Sequence, residues 1–340
     1  MIKILGIESS CDETGAAVVT EKKEILSNVV YSQIAEHKSF GGVVPELAAR
    51  AHLERIDVVV KKALEDAKLE PSELTAVAGT CGPGLIGGLI VGSIFAKTIA
   101  MAAGIPFIAA NHIEAHALSV RLTEDVNFPY LLLLASGANC QWVVVRSCDR
   151  FEAIGKTVDD SVGEAFDKVA KLLGWGYPGG PIVEKMSRLG DGDRFSLPRP
   201  MCRKDSLNFS FAGLKTAVKI ALKKCETEQD KIDLCASFQK AIVDVMVYKM
   251  KRALEVCRDK NVELSAVAIS GGVAANKPMR AALQNVCDER GLRFCVPPIS
   301  LCTDNGAMIA WLGAEKFQSC RRDDLRFAPR PRWPFGAKAE

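Results

Sequence analysis

The feature that most restricts the fold is a repeat. Near its start the chain runs an apolar segment at residues 2–7, a polar acidic turn ESSCDETG, and a second apolar segment at residues 16–19. The same order returns at residues 130–135, passes through a turn SGANC and ends at residues 142–145. Strand, turn, strand reads as a hairpin, and a lone hairpin is stable only when other elements cover its apolar face. Two such hairpins far apart in one chain predict two related domains, each with its own sheet and core. At 340 residues the chain is long enough for both. The tip of the first hairpin presents Asp12 and Glu13.

Helical patterns separate the strands. Residues 45–67 are long and amphipathic, with a start near Val43, and residues 85–103 run with the Gly-rich stretch GPGLIGGLIVG. Residues 164–173 stop at Gly174 and the turn YPGGP. Residues 213–224 and 229–258 form a lysine-rich helical block. A strand at 266–270 leads into GGVAANKPMR, and residues 307–317 make the last helix. The tail RFAPRPRWPF reads as extended over the surface. Strands alternating with helices predict an α/β chain with mixed sheets. No low-complexity linker divides the halves, so a hinge between closely joined domains is expected.

Composition narrows the class. Hydrophobic residues make up 48% and charged residues 25%, the balance of a globular enzyme rather than a disordered chain. The net charge of +3 neither demands nor excludes a nucleic-acid partner. Twelve cysteines are present, but no two form a C-x-x-C pair and no secretory leader precedes the first strand. Scattered buried thiols and a cytoplasmic address are therefore expected. Residues 85–110 carry only Lys97 as a charge, a length that could span a bilayer. Lys97 sits near the middle, and Gly104 and Pro106 break the pattern, so a buried helix and strand are expected and no membrane.

The strongest chemical signal is NHIEAH at residues 111–116. His112 and His116 are one helical turn apart and share a face, the spacing that lets two imidazoles hold one metal ion. Two hydrogen-bonded core histidines would explain the pair equally simply. A zinc peptidase needs its glutamate directly beside one histidine, whereas Glu114 stands midway and points to another face. Asp304, in CTDNGAMIA, is a candidate third ligand, although an acidic residue before a helix can be a plain N-cap. Asp12 and Glu13 are ligands by type as well.

Three Gly-rich turns have the character of phosphate or nucleotide cradles: SGGVAANK from Ser270, the SGA turn at Ser136–Ala138, and GYPGGP at residues 176–181. None fits the Walker or dinucleotide patterns. Asp167, on a helix beside this set, is placed to accept from ribose hydroxyls or to pair with a nearby lysine. Basic residues gather at 199–224, where Lys215, Lys219 and Lys223 share one helical face, and in the tail at 321–332. Such faces are usually solvated and give only slight support for phosphate contacts.

Taken together, ESSCDET, GGVVPELAARAH, GPGLIGGLIVG, NHIEAH, GEAFDKVAKLL, GYPGGP, FSFAGLKTAV, SGGVAANKPMR and CTDNGAMIA resemble the TsaD family of tRNA adenosine threonylcarbamoyltransferases. The likeness runs in order along essentially the whole chain, and the ending APRPRWPF looks like the bacterial branch. It implies an actin/Hsp70-like fold of two ribonuclease-H-like domains around a central cleft, with residues 1–125 plus 303–340 in one lobe and 126–302 in the other. It implies transfer of the threonylcarbamoyl group from threonylcarbamoyl-adenylate to the exocyclic amine of the tRNA adenosine beside the anticodon. By the same likeness the metal ligands are His112, His116 and Asp304, with iron(II) or zinc as the ion. The adenylate pocket, which could also take ATP or ADP, includes Leu134, Ala135, Ser136, Gly137, Ala138, Asp167, Gly180, Glu184 and Asn276. Asp12 and Glu13 lie near the reacting centre. Expected partners are tRNA, a TsaB-like paralogue and a TsaE-like ATPase. One departure stands out: the family's bacterial SGGHT turn reads SGANC here, so Ala138 adds a methyl where glycine is usual.

Three rival readings have discriminators in the chain. A sugar-kinase-like or chaperone-like ATPase of the same fold would hold Mg²⁺ through carboxylates and phosphates and has no need of paired histidines. A sialoglycoprotein endopeptidase lacks its base because Glu114 is misplaced. An inactive scaffolding paralogue would be expected to lose the histidines, and both are present.

Overall fold

A computed structural model describes residues 1–40, 42–202 and 205–336. Gly41 of the GGVVPELAARAH motif, Arg203 and Lys204 of the basic stretch, and residues 337–340 of the tail lie outside the described residues. In chain order the first elements are β1 (Lys3–Glu8), β2 (Glu13–Thr20), β3 (Ile25–Ser32), α1 (Ile34–His37), α2 (Pro45–Ala67), β4 (Ala76–Gly82), α3 (Ile86–Ala103), β5 (Phe107–Asn111) and α4 (His112–Thr123). There follow β6 (Tyr130–Ala135), β7 (Cys140–Ser147), β8 (Arg150–Lys156), α5 (Val162–Leu172), α6 (Gly179–Ser187), α7 (Ala212–Leu222) and α8 (Glu228–Asp259). The last are β9 (Val267–Ser270), α9 (Lys277–Asp288), β10 (Phe294–Cys295), α10 (Ile299–Cys302) and α11 (Gly306–Gln318).

The chain divides into two compact units. The first holds Met1–Asp125, Cys148–Arg150 and the stretch from Thr303; the second holds Val126–Ser147 and Phe151–Cys302. Their sheets run β3-β2-β1-β4-β5 and β10-β9-β6-β7-β8. Each central strand, β1 or β6, pairs antiparallel with the next strand in the chain and parallel with one returning from a helix. The repeat in the sequence is thus a repeat in topology. Strands β3, β4 and β8 have no clear alternating signal, since β3 is an edge with exposed Ile25 and Val30, and β4 ends in Thr, Cys and Gly.

In the first unit, one face of the sheet carries α2 and α3, with Ile56, Val59, Val60 and Ala63 packed against Leu5, Ile7, Ala16 and Val18. Helix α3 is long and apolar enough to cross a membrane, with mean hydropathy 1.7. Its Gly88, Gly92, Ser93 and Ala96 are buried, whereas Ile86, Ile90 and Ile94 form an exposed stripe. Helix α11 covers the other face at unusually short range. A Cβ on Gly6 would lie 2.2 Å from the Ala310 nitrogen, and one on Gly306 would lie 2.5 Å from the Ala16 carbonyl carbon. Helix backbone therefore rests on strand backbone, and the loop before α11 is held against the sheet.

The tail is extended and pinned to this unit. Arg330 N–H donates to Cys81 O at 2.7 Å, Gly84 N–H to Pro331 O, and Lys97 Nζ to Phe327 O. Trp333 is buried, and its carbonyl accepts from Asn111 Nδ2 at 3.2 Å. The second unit is built on Trp142, Phe166, Phe209, Phe211 and Phe238, with α8 as its long central helix. Lys249 on α8 is fully buried and donates to the carbonyls of Met201 and Ser206, which satisfies its charge with backbone dipoles. All twelve cysteines are free thiols, eight of them buried.

The close seat of α11 gives a direct test. Gly306→Ala is expected to destabilise the protein by about 3 kcal/mol, because only backbone could yield. Gly213→Ala, on α7 with open space beside it, is expected to gain about 0.5–1 kcal/mol. Urea unfolding of the two variants reads both signs.

Candidate functional site

Helix α4 begins at His112 because Asn111 caps it, its Oδ1 accepting from the N–H groups of Ile113 and Glu114. The cap is itself held by the tail carbonyl of Trp333. His112 and His116 consequently project from the same face, with ring centroids 4.7 Å apart. Asp304 enters from the loop before α11. Its Oδ1 lies 2.9 Å from His116 Nε2 and 3.6 Å from His112 Nε2. The N-cap of α11 is Asn305, whose side chain accepts from Met308 N–H, so Asp304 is free of capping duty.

One atom from each of these three side chains falls within 4.8 Å of the others. Two imidazole nitrogens and a carboxylate oxygen, with further positions open, fit iron(II) or zinc. The charges fit as well. Burial disfavours an imidazolium at His112, but Glu8 and Asp304 outweigh it and push the pKa up to about 9. Burial likewise opposes charge on Asp304, yet His112 and the hydrogen bond from His116 hold its carboxyl well below the ordinary carboxylate range. The site is thus a pair of anions awaiting positive charge, supplied by a proton when no ion is bound.

Asp12 and Glu13 stand beside this cluster, Asp12 in the turn and Glu13 as the first residue of β2. Burial, followed by the Asp304 and Asp12 charges, pushes Glu13 up to about 9. Without a bound cation it holds a proton at neutral pH. Glu114 turns away and pairs with Lys316 at 3.2 Å, both nearly buried. The glutamate of the histidine motif has no water-activating role left to it.

The residues singled out in the second unit form a connected rim. Leu134 and Ala135 end β6, next to Ser270 at the end of β9. Ser136 Oγ accepts from the N–H groups of Ala138 and Asn139, closing the turn, and Ser136 O accepts from Gly163 N–H. Ser161, the cap of α5, donates to Gly137 O at 2.5 Å. Asp167 Oδ1 accepts from Gly179 N–H at 2.7 Å, which brings Gly180 alongside. Burial raises the Asp167 pKa against that hydrogen bond. Glu184 pairs with Arg188 and accepts from Lys277 N–H, joining α6 to the start of α9. Asn276 caps α9 and exchanges both amide hydrogen bonds with Gln239. Sequence reasoning did not anticipate Gln239, which carries no motif signal on its helix.

Two features of the sequence gain a structural account. Lys215 is bonded to Asp160 at 2.7 Å, so the lysine face on α7 is not a free row of cations. Arg199 is likewise held by Asp244. The added methyl of Ala138 is harmless to the backbone. Among the described residues the non-glycines with positive φ are Lys23, Lys68, Met201, Asn261 and Cys320, and Ala138 is not one of them. Gly137 has open space where a Cβ would stand.

Comparison with known proteins bears on both units. The family described as "TsaD: tRNA N6-adenosine threonylcarbamoyltransferase" matches residues 24–311. A tRNA N6-adenosine threonylcarbamoyltransferase of Brucella suis is 54% identical, over 99% of this chain and 96% of that protein. One of Brucella anthropi is 53% identical over the same shares. Among solved structures, HypF of T. kodakarensis gives a TM-score of 0.63 at 14% identity, over 93% of this chain and 48% of that one. Full-length HypF in its phosphate- and nucleotide-bound form gives 0.62 at 14%, over 93% and 56%. The Acidaminococcus fermentans (R)-2-hydroxyglutaryl-CoA dehydratase component A gives 0.52 at 16%, over 94% and 100%. These structures share the actin/Hsp70-like fold with two mixed sheets.

For the turn, Ala138→Gly is expected to lower stability by about 0.4–1 kcal/mol by loosening the unfolded chain. Thermal unfolding reads this; a gain in stability would show that Ala138 is strained.

Proposed function

Since the chain belongs to the TsaD family of tRNA N6-adenosine threonylcarbamoyltransferases, we propose a division of roles among its residues for that transfer. The chain is a transferase in the synthesis of threonylcarbamoyladenosine in tRNA. In the reaction, the exocyclic amine of adenosine attacks the carbamoyl carbonyl of threonylcarbamoyl-adenylate. A C–N bond forms, the C–O bond to phosphate breaks, the amine loses a proton, and AMP leaves. The donor is already activated, so positioning and stabilisation of the developing oxyanion supply most of the rate.

His112, His116 and Asp304 hold one divalent ion, iron(II) or zinc. The convergence of these three side chains is the observation that carries the reading. The ion, when bound, supplies a Lewis acid for a carbonyl or an anchor for a phosphate. Leu134, Ala135, Ser136, Gly137, Ala138, Asp167, Gly180, Glu184 and Asn276 frame the adenylate. Most of their side-chain polar atoms are already bonded to neighbouring residues, which leaves backbone N–H groups and the open sides of Gly137 and Gly180 for the ligand. Asp12 or Glu13 takes up the amine proton. A cation beside Asp304 would lower the pKa of Glu13 and make it a base.

The tRNA substrate supports a cytoplasmic address. A TsaB-like paralogue and a TsaE-like ATPase are the expected partners. For the paralogue, the exposed Ile86, Ile90 and Ile94 stripe of α3 offers an apolar face.

Depletion of this protein in cells is expected to remove threonylcarbamoyladenosine from tRNA, read by nucleoside analysis. Restoring the native gene should return it, and His112→Ala should not, although that protein remains folded. Unchanged nucleoside content would sink the reading. No peptidase activity is expected, because Glu114 is bound to Lys316. Glycoprotein cleavage by purified protein that disappears in His112→Ala would overturn this.

A further inference from the structure

Behind His112 stands a carboxylate that neither the ligand set nor the acidic turn uses. Glu8, the last residue of β1, is completely buried, and each of its oxygens accepts a hydrogen bond. Ser10 N–H donates to Oε1 at 2.7 Å, and the Thr80 hydroxyl donates to Oε2 at 2.7 Å. His112 Nδ1 lies 3.1 Å from that same Oε2, while its Nε2 faces Asp304. His116 has no such support: its Nδ1 is buried without a hydrogen-bond partner among the described residues.

We propose that Glu8 is the positioning residue of the metal centre, holding the His112 proton on Nδ1 and so leaving the Nε2 lone pair for the ion. The assignment rests on the reading of His112, His116 and Asp304 as ligands. Its basis is an accounting of donors. The Ser10 N–H is backbone and cannot reverse, so the Oε1 position must hold an acceptor. In glutamate the Oε2 position is an acceptor too, and the facing imidazole nitrogen has to bring the proton.

An amide of the same shape reverses this. With its oxygen kept toward Ser10, glutamine points its NH₂ at His112 Nδ1, which then accepts. The proton moves to Nε2, and the lone pair meant for the ion is gone. Thr80 would not object, because its hydroxyl also lies 3.1 Å from Ile7 O and can donate there while accepting from the amide. Alanine at position 8 acts differently. Ser10 Oγ is 3.0 Å from His112 Nδ1 and, as a hydroxyl, can accept from it or donate to it, so the useful tautomer stays available without the carboxylate.

Control of the tautomer therefore predicts an inverted ranking. Glu8→Gln, the better packed variant, should bind metal worse than Glu8→Ala, the cavity-forming one; a purely structural role gives the opposite order. Full-length proteins are stripped with chelator, checked for folding by thermal unfolding, and titrated with Zn²⁺ against a chromophoric chelator. Glu8→Gln is expected to keep a near-native unfolding temperature and lose about 10–100-fold in Zn²⁺ affinity. Glu8→Ala is expected to lose stability but less affinity. Native-like affinity in Glu8→Gln, or weaker binding in Glu8→Ala, overturns the assignment of Glu8 while the ligand set stands. If the native protein binds no Zn²⁺, or His112→Ala binds it equally well, the ligand reading fails and the Glu8 assignment falls with it. Long-range nitrogen–proton NMR of the Zn²⁺-loaded native protein, which has four histidines to assign, should place the His112 proton on Nδ1. A proton found on Nε2 would end the proposal.

Discussion

Much of the first unit depends on the direct contact of α11 with β1 and β2. Side chains normally stand between a helix and the sheet that it covers. Here Gly6, Gly15 and Gly306 remove the spacers, and a Cβ at any of the three would strike backbone of the other element. The gain is position. The loop that carries Asp304 is tied to the strand whose end carries Glu8, and both elements are among the most buried in the chain. A carboxylate on a rigid seat can be brought against two imidazoles without the loop relaxing away.

That rigidity keeps a costly arrangement of charge intact. Glu8, His112, His116 and Asp304 are gathered where water is largely excluded, and isolated charges there would be expelled or neutralised. Burial works against the charged form at Glu8, His112 and Asp304, and mutual attraction overrides it at each. Positive charge, whether from protons or from an ion, is what makes the cluster tolerable. Its neighbour Glu13 shows the other side of the balance: burial and the charges of Asp304, Asp12 and Glu8 drive it toward the neutral form.

The second unit handles polarity differently. Its polar side chains bind one another and the ends of helices, as in Asn276 with Gln239, Asp167 with Gly179 N–H, and Ser136 within its own turn. Such groups are held in place by the bonds they make. They set the course of the backbone at the carboxyl ends of β6 and β9, the place where open α/β sheets bind ligands. What this rim leaves open is main chain, with room beside Gly137 and Gly180.

What the sequence determined by itself was local or repeated. The two hairpins, the helix that puts His112 and His116 on one face, the misplaced Glu114 and the mixed α/β character follow from short-range spacing, because strand and helix periodicity act over a few residues. Asp304 could be named from its motif, but Asn305 rather than Asp304 proved to be the helix cap, and only the fold brought that carboxylate across 188 positions to His116. The same holds for Glu8 behind His112, Gln239 behind Asn276, and Lys215 bound to Asp160. Each is a contact between elements distant in the chain. Which donor meets which acceptor there is set by how helices seat on sheets, and no local pattern encodes that geometry.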